Sequence, residues 1–272
     1  MSTSNVYSHF WGCLSAILTV SSAWGADLSS PAAEAAKVTS SPSQSPQEAA
    51  KSEGPAVSKV SSDPQKKAAE QKKDRPSEIL DFWFGTLEGP DTFPAEKAKR
   101  WFAHSPENQV LMNNMFGADL RLASTGEYNS WRETPRGRLA LILLLDQIPR
   151  NIYGEKPLAY AFDRMAQGLA IEGINNGDDA RLLPMEKIFF YLPLVHTEDS
   201  HLQDLSVAKY EDLVNRATVK NKPYLQEMLR YAMIHRNIIK KFGRFPSRNA
   251  AYGRPSTPEE SAYLMQWGSY PN

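Results

Sequence analysis

The apolar positions of this chain recur at helical spacing from residue 77 onwards. The strongest example is an uninterrupted apolar run from Leu139 to Leu145, which Asp146 follows directly. Asp146 lies seven residues after Leu139 and three after Leu143, so its carboxylate shares a helix face with apolar side chains. Because the run is apolar on all sides, we predict a helix that is buried on most sides.

Pro149 sets the expected end of this helix. Proline disfavours the helical conformation of the residue before it, so the helix is predicted to run from about Arg136 to Gln147. Asp146 then lies in the last turn, where the helix dipole disfavours an anion. A buried carboxylate at that end needs a cation or several hydrogen-bond donors. The sequence therefore predicts a polar constellation inside the core, with Arg150 as one candidate partner.

Further helices are predicted from caps and helix breakers. They open at Ser77, Pro94, Pro106, Pro157, Pro184, Ser200, Pro223 and Thr257. Glycines are expected to close three of them, at Gly85, Gly126 and Gly243. The helix that opens at Pro157 should reach about Ile171. Pro193 is expected to kink or end the helix that contains it.

Two of these helices begin with the pattern of a capping box. Ser200 with Gln203 and Thr257 with Glu260 have the required spacing. No window alternates convincingly with period two, so no strand is predicted. The predicted fold class is all-α, with antiparallel helix pairs stacked as a bundle or superhelix.

Residues 1–26 have the pattern of a signal peptide, and an uncleaved membrane anchor is the alternative. The apolar stretch from Phe10 to Gly25 is shorter than the roughly 20 residues that span a bilayer. The only cysteine, Cys13, lies inside this stretch, which excludes an intramolecular disulfide and a cysteine-based metal site. We therefore expect a periplasmic or secreted protein, or one that is anchored to the membrane by this segment.

Residues 27–76 are predicted to form a disordered linker. They contain six prolines and no Phe, Trp or Tyr, so they cannot bury enough surface to offset their conformational entropy. The remaining residues, 77–272, are sufficient for a single α-helical domain with a sizeable core. No segment after the N-terminal stretch is apolar and long enough to span a membrane.

The formal net charge of the chain is zero, which argues against a nucleic acid as partner. Basic residues nevertheless concentrate in residues 228–258, which contain seven of them and no Asp or Glu. Arg244, Arg248 and Arg254 lie there between aromatic residues, glycines and a proline. Guanidinium groups bind carboxylate or phosphate through two parallel hydrogen bonds. This loop is therefore predicted either to bind an anion or to tie itself to helix C-termini and to Asp146.

His196 and His235 are the candidate catalytic histidines, together with Asp146 as a candidate acid or base. His235 lies on the apolar face of the long helix, where a hydrogen-bonded core residue is the alternative interpretation. His196 begins a corner that contains two acids and His201, but the spacing differs from that of a helical two-histidine zinc site. Acids also fit the start of the following helix. We predict no metal and no other cofactor.

Several longer motifs are distinctive. They comprise Asp81–Gly85, Trp101–Phe102, Leu139–Asn151, Phe190–His196 with Glu198, His235, Phe242–Asn249, Gly253–Arg254 and Ser256–Thr257. In these motifs the chain resembles the bacterial family known as domain of unknown function 924, and the resemblance covers essentially all of residues 77–272. It implies an all-α fold similar to tetratricopeptide-like helical superhelices. It implies no activity, because the family has no settled one.

The resemblance also marks a set of polar residues. Those that match the family's polar motifs are Asp146, Gln147, Arg150, Asn151, Tyr191, His196, Glu198, His235, Arg244, Arg248, Asn249 and Arg254. Ser247 departs from the pattern, since family sequences commonly have histidine at that place. Apart from Gln147, these residues form the predicted ligand-binding set.

The sequence leads to one main hypothesis and two alternatives. The main hypothesis is an internal pocket in which arginines hold a small anionic ligand and Asp146 orients one of them. His196 or His235 would then serve as general acid or base if the domain is catalytic. No nucleophile is identified, so the sequence assigns no enzymatic reaction. It does not assign an oligomeric state either. The alternatives are a non-enzymatic module that binds a peptide or protein in a helical groove, and a purely structural polar network.

Overall fold

The computed structural model describes residues 74–101, 103 and 105–268. Within these ranges the chain forms helices and no strand. The α-helices are α1 (Arg75–Phe84), α2 (Ala95–Trp101), α3 (Pro106–Thr125), α4 (Pro135–Ile142), α5 (Ile148–Tyr153), α6 (Asp163–Asn175), α7 (Pro184–Val195), α8 (Ser200–Asn215), α9 (Lys222–Phe242) and α10 (Pro258–Trp267). The predicted all-α class is confirmed, and a tetratricopeptide-like superhelix stays a prediction.

Shorter helical segments connect several of these helices. The 3-10 segments are Asn129–Glu133, Pro157–Tyr160, Asp179–Arg181 and Pro246–Arg248. A π-helical turn, Leu143–Gln147, joins α4 directly to α5. The predicted signal peptide and most of the predicted linker lie outside the described residues, and α1 begins just inside the predicted end of the linker. In the part of the chain that the structure describes, no helix combines the length and apolarity needed to cross a bilayer.

The apolar run forms the centre of the fold. Every residue from Leu139 to Leu145 is at most 2% exposed, which confirms the predicted buried helix. Helix α4 packs against α1, α6 and α7, whereas the π-helical turn and α5 pack against α3. The central helical stretch is therefore surrounded by four other helices, and its polar residues lie inside the core.

The predicted helix end before Pro149 is wrong. Ile148 keeps α-helical dihedral angles, with φ −63° and ψ −42°, and α5 continues beyond the proline. In the π-helical turn the N–H of Ile148 bonds to the carbonyl of Leu143, one residue farther back than in an α-helix. The wider turn accommodates a proline ring that would clash with the preceding turn of a regular α-helix. Asp146 consequently lies inside the helical stretch rather than in its last turn.

Two predicted N-caps are wrong, one by three residues and the other by one. Asp74 caps α1, since its carboxylate accepts a hydrogen bond from the backbone N–H of Ser77. Asp199 caps α8 in place of Ser200 and accepts from two backbone N–H groups. Gln203, the expected partner in a capping box, instead donates to two backbone carbonyls. An ionised carboxylate at the positive end of the helix dipole is a stronger acceptor than a hydroxyl group.

Other predicted helix ends are confirmed. Gly85, Gly126 and Gly243 follow α1, α3 and α9, and each has a positive φ. Thr257 and Glu260 form the predicted capping box at the start of α10, with both reciprocal hydrogen bonds present.

Two predicted helices differ from the structure in extent. Pro193 does not end α7, which continues to Val195 inside the core. The helix expected over residues 157–171 is a 3-10 turn followed by α6, because Phe162 departs from helical dihedral angles with φ −110° and ψ 5°. This break makes Asp163 the first residue of α6.

An aromatic cluster holds α7 against α1 and α2. The rings of Trp83 and Trp101 lie 5.6 Å and 4.7 Å from the ring of Phe189, both edge-on. The indole N–H of Trp101 donates to the carbonyl of Trp83 at 2.9 Å. These contacts fix α7, at whose C-terminal end His196 lies.

Gly173→Ala should destabilise the fold. A Cβ at Gly173, in α6, would lie 2.5 Å from Cδ of Arg138 and 2.5 Å from Cζ of Phe190. Both side chains are buried, so we expect the free energy of unfolding to fall by about 1–3 kcal/mol. The control is Gly168→Ala in the same helix, where a Cβ meets nothing within 4 Å and stability should rise by about 0.5–1 kcal/mol. Urea unfolding measures both changes, and an unchanged or more stable Gly173→Ala would contradict this packing.

Candidate functional site

The Asp146 carboxylate is the centre of a buried polar cluster. Its side chain is 0% exposed. Nδ1 of His196 lies 2.7 Å from Oδ1, and the side-chain amide of Gln147 donates to Oδ2 at 2.6 Å. Nη1 of Arg150 lies 3.3 Å from Oδ1. The predicted pairing of Asp146 with Arg150 is present, and His196 is the closer partner.

The π-helical turn creates part of this geometry. Its residues Asp146 and Gln147 each present a backbone carbonyl to a side chain of α5. Nη1 of Arg150 donates to the carbonyl of Asp146 at 2.7 Å, and the amide of Asn151 donates to the carbonyl of Gln147 at 3.1 Å. Arg150 therefore binds both the side chain and the backbone of Asp146, which fixes its guanidinium in one place.

A second carboxylate, Asp163, extends the cluster to the arginine loop, which we define as residues 243–256. Arg150 binds Asp163 through two parallel hydrogen bonds of 2.8 Å and 2.9 Å. Nη1 of Arg248 lies 3.3 Å from the same carboxylate and donates to the carbonyl of His196 at 2.8 Å. The loop arginine thus reaches the C-terminal end of α7, as the structural interpretation of the sequence expected.

The two guanidinium groups of this cluster also contact aromatic rings. Cζ of Arg150 lies 5.5 Å and Cζ of Arg248 lies 4.7 Å from the ring centroid of Tyr160. Arg248 lies in addition 4.6 Å from the ring centroid of Phe245. Such cation–π contacts stabilise the arginines and limit the orientations that their planes adopt.

The charges of the cluster balance. Burial by itself raises the pKa of Asp146, but the positive charge of Arg150 and the hydrogen bonds from His196 and Gln147 outweigh it and hold the pKa below its usual range. Burial and the charge of Arg150 lower the pKa of His196, although the neighbouring carboxylate opposes them. At neutral pH the cluster therefore consists of an ionised Asp146, a neutral imidazole and two arginines that face two aspartates.

His235 adds a second buried imidazole. Its ring is 0% exposed and lies 6.4 Å from the ring of His196. Nδ1 lies 2.9 Å from the carbonyl of Tyr231, one helical turn earlier on α9. Burial lowers the pKa of His235 well below its usual value, and the positive charges of Arg248 and Arg150 act in the same direction. His235 is consequently neutral as well.

Three nitrogens of the cluster are buried without a hydrogen-bond partner among the residues that the structure describes. They are Nε of Arg150, Nε of Arg248 and Nε2 of His235. A buried polar atom without a partner costs about 1–3 kcal/mol, and most such atoms in proteins are bonded to a protein group or to water. Three of them in one cluster mark this place as a candidate binding site.

The rest of the arginine loop is held by separate ion pairs. Arg254 binds Glu198 through two hydrogen bonds of 2.7 Å and 2.9 Å, and Glu198 also accepts the backbone N–H of Phe245 at 2.8 Å. Arg244 binds Glu260 at 2.6 Å and 2.9 Å. Burial by itself raises the pKa of Glu198, but the hydrogen bonds from Arg254 outweigh this effect and lower the pKa below its usual value.

Asn249 links these two pairs. Its carbonyl oxygen accepts from Nε of Arg254 at 3.1 Å, and its amide donates to Ser256 at 3.0 Å and to Glu260 at 3.2 Å. Arg244, Asn249 and Arg254 therefore hold the loop closed against the end of α7 and the start of α10, while Arg248 reaches the cluster.

Two predicted site residues bind elsewhere. Asn151 accepts from Asn108 at 2.9 Å and donates to the carbonyl of Trp101 at 3.1 Å, so it connects α5 to α3 and to the end of α2. The hydroxyl of Tyr191 donates to Asp179 at 2.8 Å, a carboxylate that also binds Lys209. Among the described contacts, neither side chain hydrogen-bonds to Asp146, Asp163 or their arginine and histidine partners, and Asn151 reaches only the backbone carbonyl of Gln147.

Sequence reasoning missed Asp163, Tyr160 and Phe245 as members of the cluster. The one signal in the sequence was that a buried Arg150 needs a carboxylate partner, and Asp163 lies thirteen residues after it. That signal does not distinguish Asp163 from other acids, because the break at Phe162 that orients it comes from tertiary packing.

The described residues include no group of three or more His, Cys, Asp or Glu side chains that could hold a metal ion. In the corner after α7, Glu198 binds Arg254 and Asp199 caps α8. A pocket of about 210 Å³ elsewhere in the described part is lined by Asp81, Phe84, Gly85, Thr86, Leu87, Arg136 and Glu186. It shares no residue with the Asp146 cluster.

Asp146→Asn should destabilise the protein strongly. The substitution keeps the shape of the side chain but leaves a buried cation without part of its compensating charge, so we expect a loss of about 3 kcal/mol. Asp212→Asn is the matched control, because Asp212 pairs with Arg216 at the same spacing of four residues on the surface. It should leave the melting temperature essentially unchanged. Equal effects of the two substitutions would contradict the central role of Asp146.

Stability should fall as the pH is lowered from about 6.5 to 5. The folded protein keeps His196 and His235 neutral, whereas the unfolded chain protonates its histidines below about 6.5. Protons then favour the unfolded state by up to about 1.4 kcal/mol per pH unit for each histidine. The stability that comes from keeping these two histidines neutral is fully present above the pKa that they have in the unfolded chain. It is lost as the pH falls below that pKa.

His235→Phe should reduce this pH dependence by about half, since it removes one of the two buried imidazoles. His201→Asn, at an exposed histidine on α8, is the control and should keep the wild-type slope. Chemical denaturation at pH 7, 6 and 5 measures the slopes, and an unaltered slope in His235→Phe would refute a neutral buried His235.

Comparison with known proteins shows what this chain is similar to. No curated protein matches it. A solved structure, described as "Structure of Protein of Unknown Function ATU0120 from Agrobacterium tumefaciens", is 32% identical with a TM-score of 0.59. The match covers 70% of this chain and 97% of that chain. A family model described as "Bacterial protein of unknown function (DUF924)" matches residues 79–268, and the chain belongs to this family.

Proposed function

We propose that the domain binds a small molecule with a carboxylate or phosphate group at the Asp146 cluster. The observation that carries the proposal is the pair of buried guanidinium Nε atoms, on Arg150 and Arg248, that have no partner in the described chain. Each is an N–H donor, and an anionic oxygen is the acceptor that guanidinium binds most strongly. The full burial of these atoms favours a small ligand over a peptide, which would need an open groove.

The remaining groups of the two arginines make them suitable anion donors. Asp163 binds both Nη atoms of Arg150, and Asp163 and the carbonyl of His196 bind Nη1 of Arg248, so the guanidinium planes are fixed before a ligand arrives. Preorganised donors bind with a smaller loss of conformational entropy. The cluster has no excess positive charge, so recognition would depend on directed hydrogen bonds rather than on long-range attraction.

His196 would serve as the general base if the site is catalytic. Asp146 binds Nδ1 of His196 at 2.7 Å and fixes the orientation of the ring. In such a carboxylate–histidine pair the carboxylate stabilises the imidazolium that forms when the other ring nitrogen accepts a proton. The pair supports activation of a water molecule or of a substrate hydroxyl group, as in hydrolysis or isomerisation. No nucleophile is assigned to the chain.

A thermal-shift experiment on the full-length protein tests the anion site. Inorganic phosphate or acetate at ten times its Kd should raise the melting temperature by about 3–6 °C. Arg248→Lys keeps the charge but removes the Nε donor and the planar contact with Tyr160, so the shift should largely disappear. Arg216→Lys, at an exposed arginine in a surface ion pair, is the control and should respond like the wild type.

The proposal fails if neither phosphate nor acetate stabilises the wild type more than Arg248→Lys. A shift that is equal in wild type, Arg248→Lys and Arg216→Lys would reflect a general salt effect and would count against the site.

A further inference from the structure

The hydrogen-bond partner of each buried imidazole determines which ring nitrogen carries the proton. The carbonyl of Tyr231 can only accept, so Nδ1 of His235 must be the protonated nitrogen. In a neutral ring Nε2 then has a lone pair and acts as an acceptor. The same reasoning applies to His196, whose Nδ1 faces the carboxylate of Asp146. Both imidazoles consequently present Nε2 as a hydrogen-bond acceptor.

The unmet groups of the cluster are therefore of two kinds. Nε of Arg150 and Nε of Arg248 are donors that lack an acceptor, while Nε2 of His235 is an acceptor that lacks a donor. A simple carboxylate such as acetate satisfies only the first kind, because in its ionised form it has no proton to donate. A ligand that satisfies both kinds needs an acidic group and, close to it, a hydroxyl or amine group.

The residues that carry these unmet groups lie next to one another. The two imidazole rings lie 6.4 Å apart. Phe245 contacts both sides of the cluster, with its ring 5.5 Å from the ring of His235 and 4.6 Å from Cζ of Arg248. His235, Phe245 and Arg248 thus form one contiguous group, and Asp163, which binds both arginines, joins Arg150 to it.

We infer that the ligand of this site is a hydroxy- or amino-substituted acid. Its carboxylate or phosphate accepts from the guanidinium Nε atoms, and its hydroxyl or amine donates to Nε2 of His235, with Nε2 of His196 as the second acceptor. The inference rests on the proposed anion site and specifies its substrate class. It also assigns His235 a role in selecting the ligand, separate from the proton transfer proposed for His196.

Nitrogen-15 NMR of the full-length protein tests the tautomers without any ligand. Two-bond proton–nitrogen spectra at pH 7 should show Nδ1 protonated and Nε2 unprotonated in both His196 and His235. Protonation of Nε2 in His235 would overturn the inference, because that nitrogen would then be a donor that an acidic group could satisfy alone.

Calorimetric titration with matched acids tests the ligand class. Glycolate differs from acetate, and lactate from propionate, chiefly by a hydroxyl group. We expect the hydroxy acid of each pair to bind about tenfold more tightly, the effect of one additional buried hydrogen bond. His235→Phe should abolish the difference in affinity between each hydroxy acid and its matched acid.

The outcomes separate the two proposals. Equal affinities within each pair would overturn the inference and leave the anion site standing, with a water molecule as the donor to His235. Failure of both hydroxy acids to bind a protein that binds phosphate would also overturn it. Failure of phosphate and of all four acids would remove the anion site itself. The wild-type comparison decides the question even if His235→Phe does not fold.

Discussion

The neutralisation of one fully buried carboxylate, that of Asp146, is the constraint on which the site depends. A charge without water is tolerated in a core only when opposite charge and hydrogen-bond donors surround it. Here the donors come from Gln147 in the π-helical turn, Arg150 in α5 and His196 at the end of α7. The contact between His196 and Asp146 thereby fixes the position of α7 relative to the central helical stretch.

The need for opposite charge extends from Asp146 through a series of alternating basic and acidic side chains. Arg150 needs Asp163, and Asp163 in turn binds Arg248, which lies 85 residues later in the chain. A loop that would otherwise lie on the surface in this way reaches the core through Phe245 and Arg248, and Arg254 with Glu198 closes it. The result is a rigid set of guanidinium and imidazole groups whose free nitrogens are held in place, the arrangement that binding and catalysis both require.

How far the sequence predicted the site differed from residue to residue. Asp146 and Arg248 could be identified because a carboxylate in an apolar run needs partners and arginines in an acid-free stretch can supply them, whereas His196 was marked by the family resemblance. Asp163 could not, since nothing in its local sequence sets it apart from other acids. Tyr191 belongs to the same family motif as His196, yet its hydroxyl binds a different carboxylate. Tyr191 lies within α7 and His196 at its C-terminal end, and the two side chains face different parts of the core.

The sequence by itself determined the helical class, the burial of the central run and the glycine ends of three helices. These properties depend on spacing within one or two turns, which a short stretch of residues specifies completely. Tertiary structure alone decided that the helix continues through Pro149. It also decided which side chains meet Asp146. Those outcomes depend on packing between segments far apart in the chain, where contact energies outweigh local preferences.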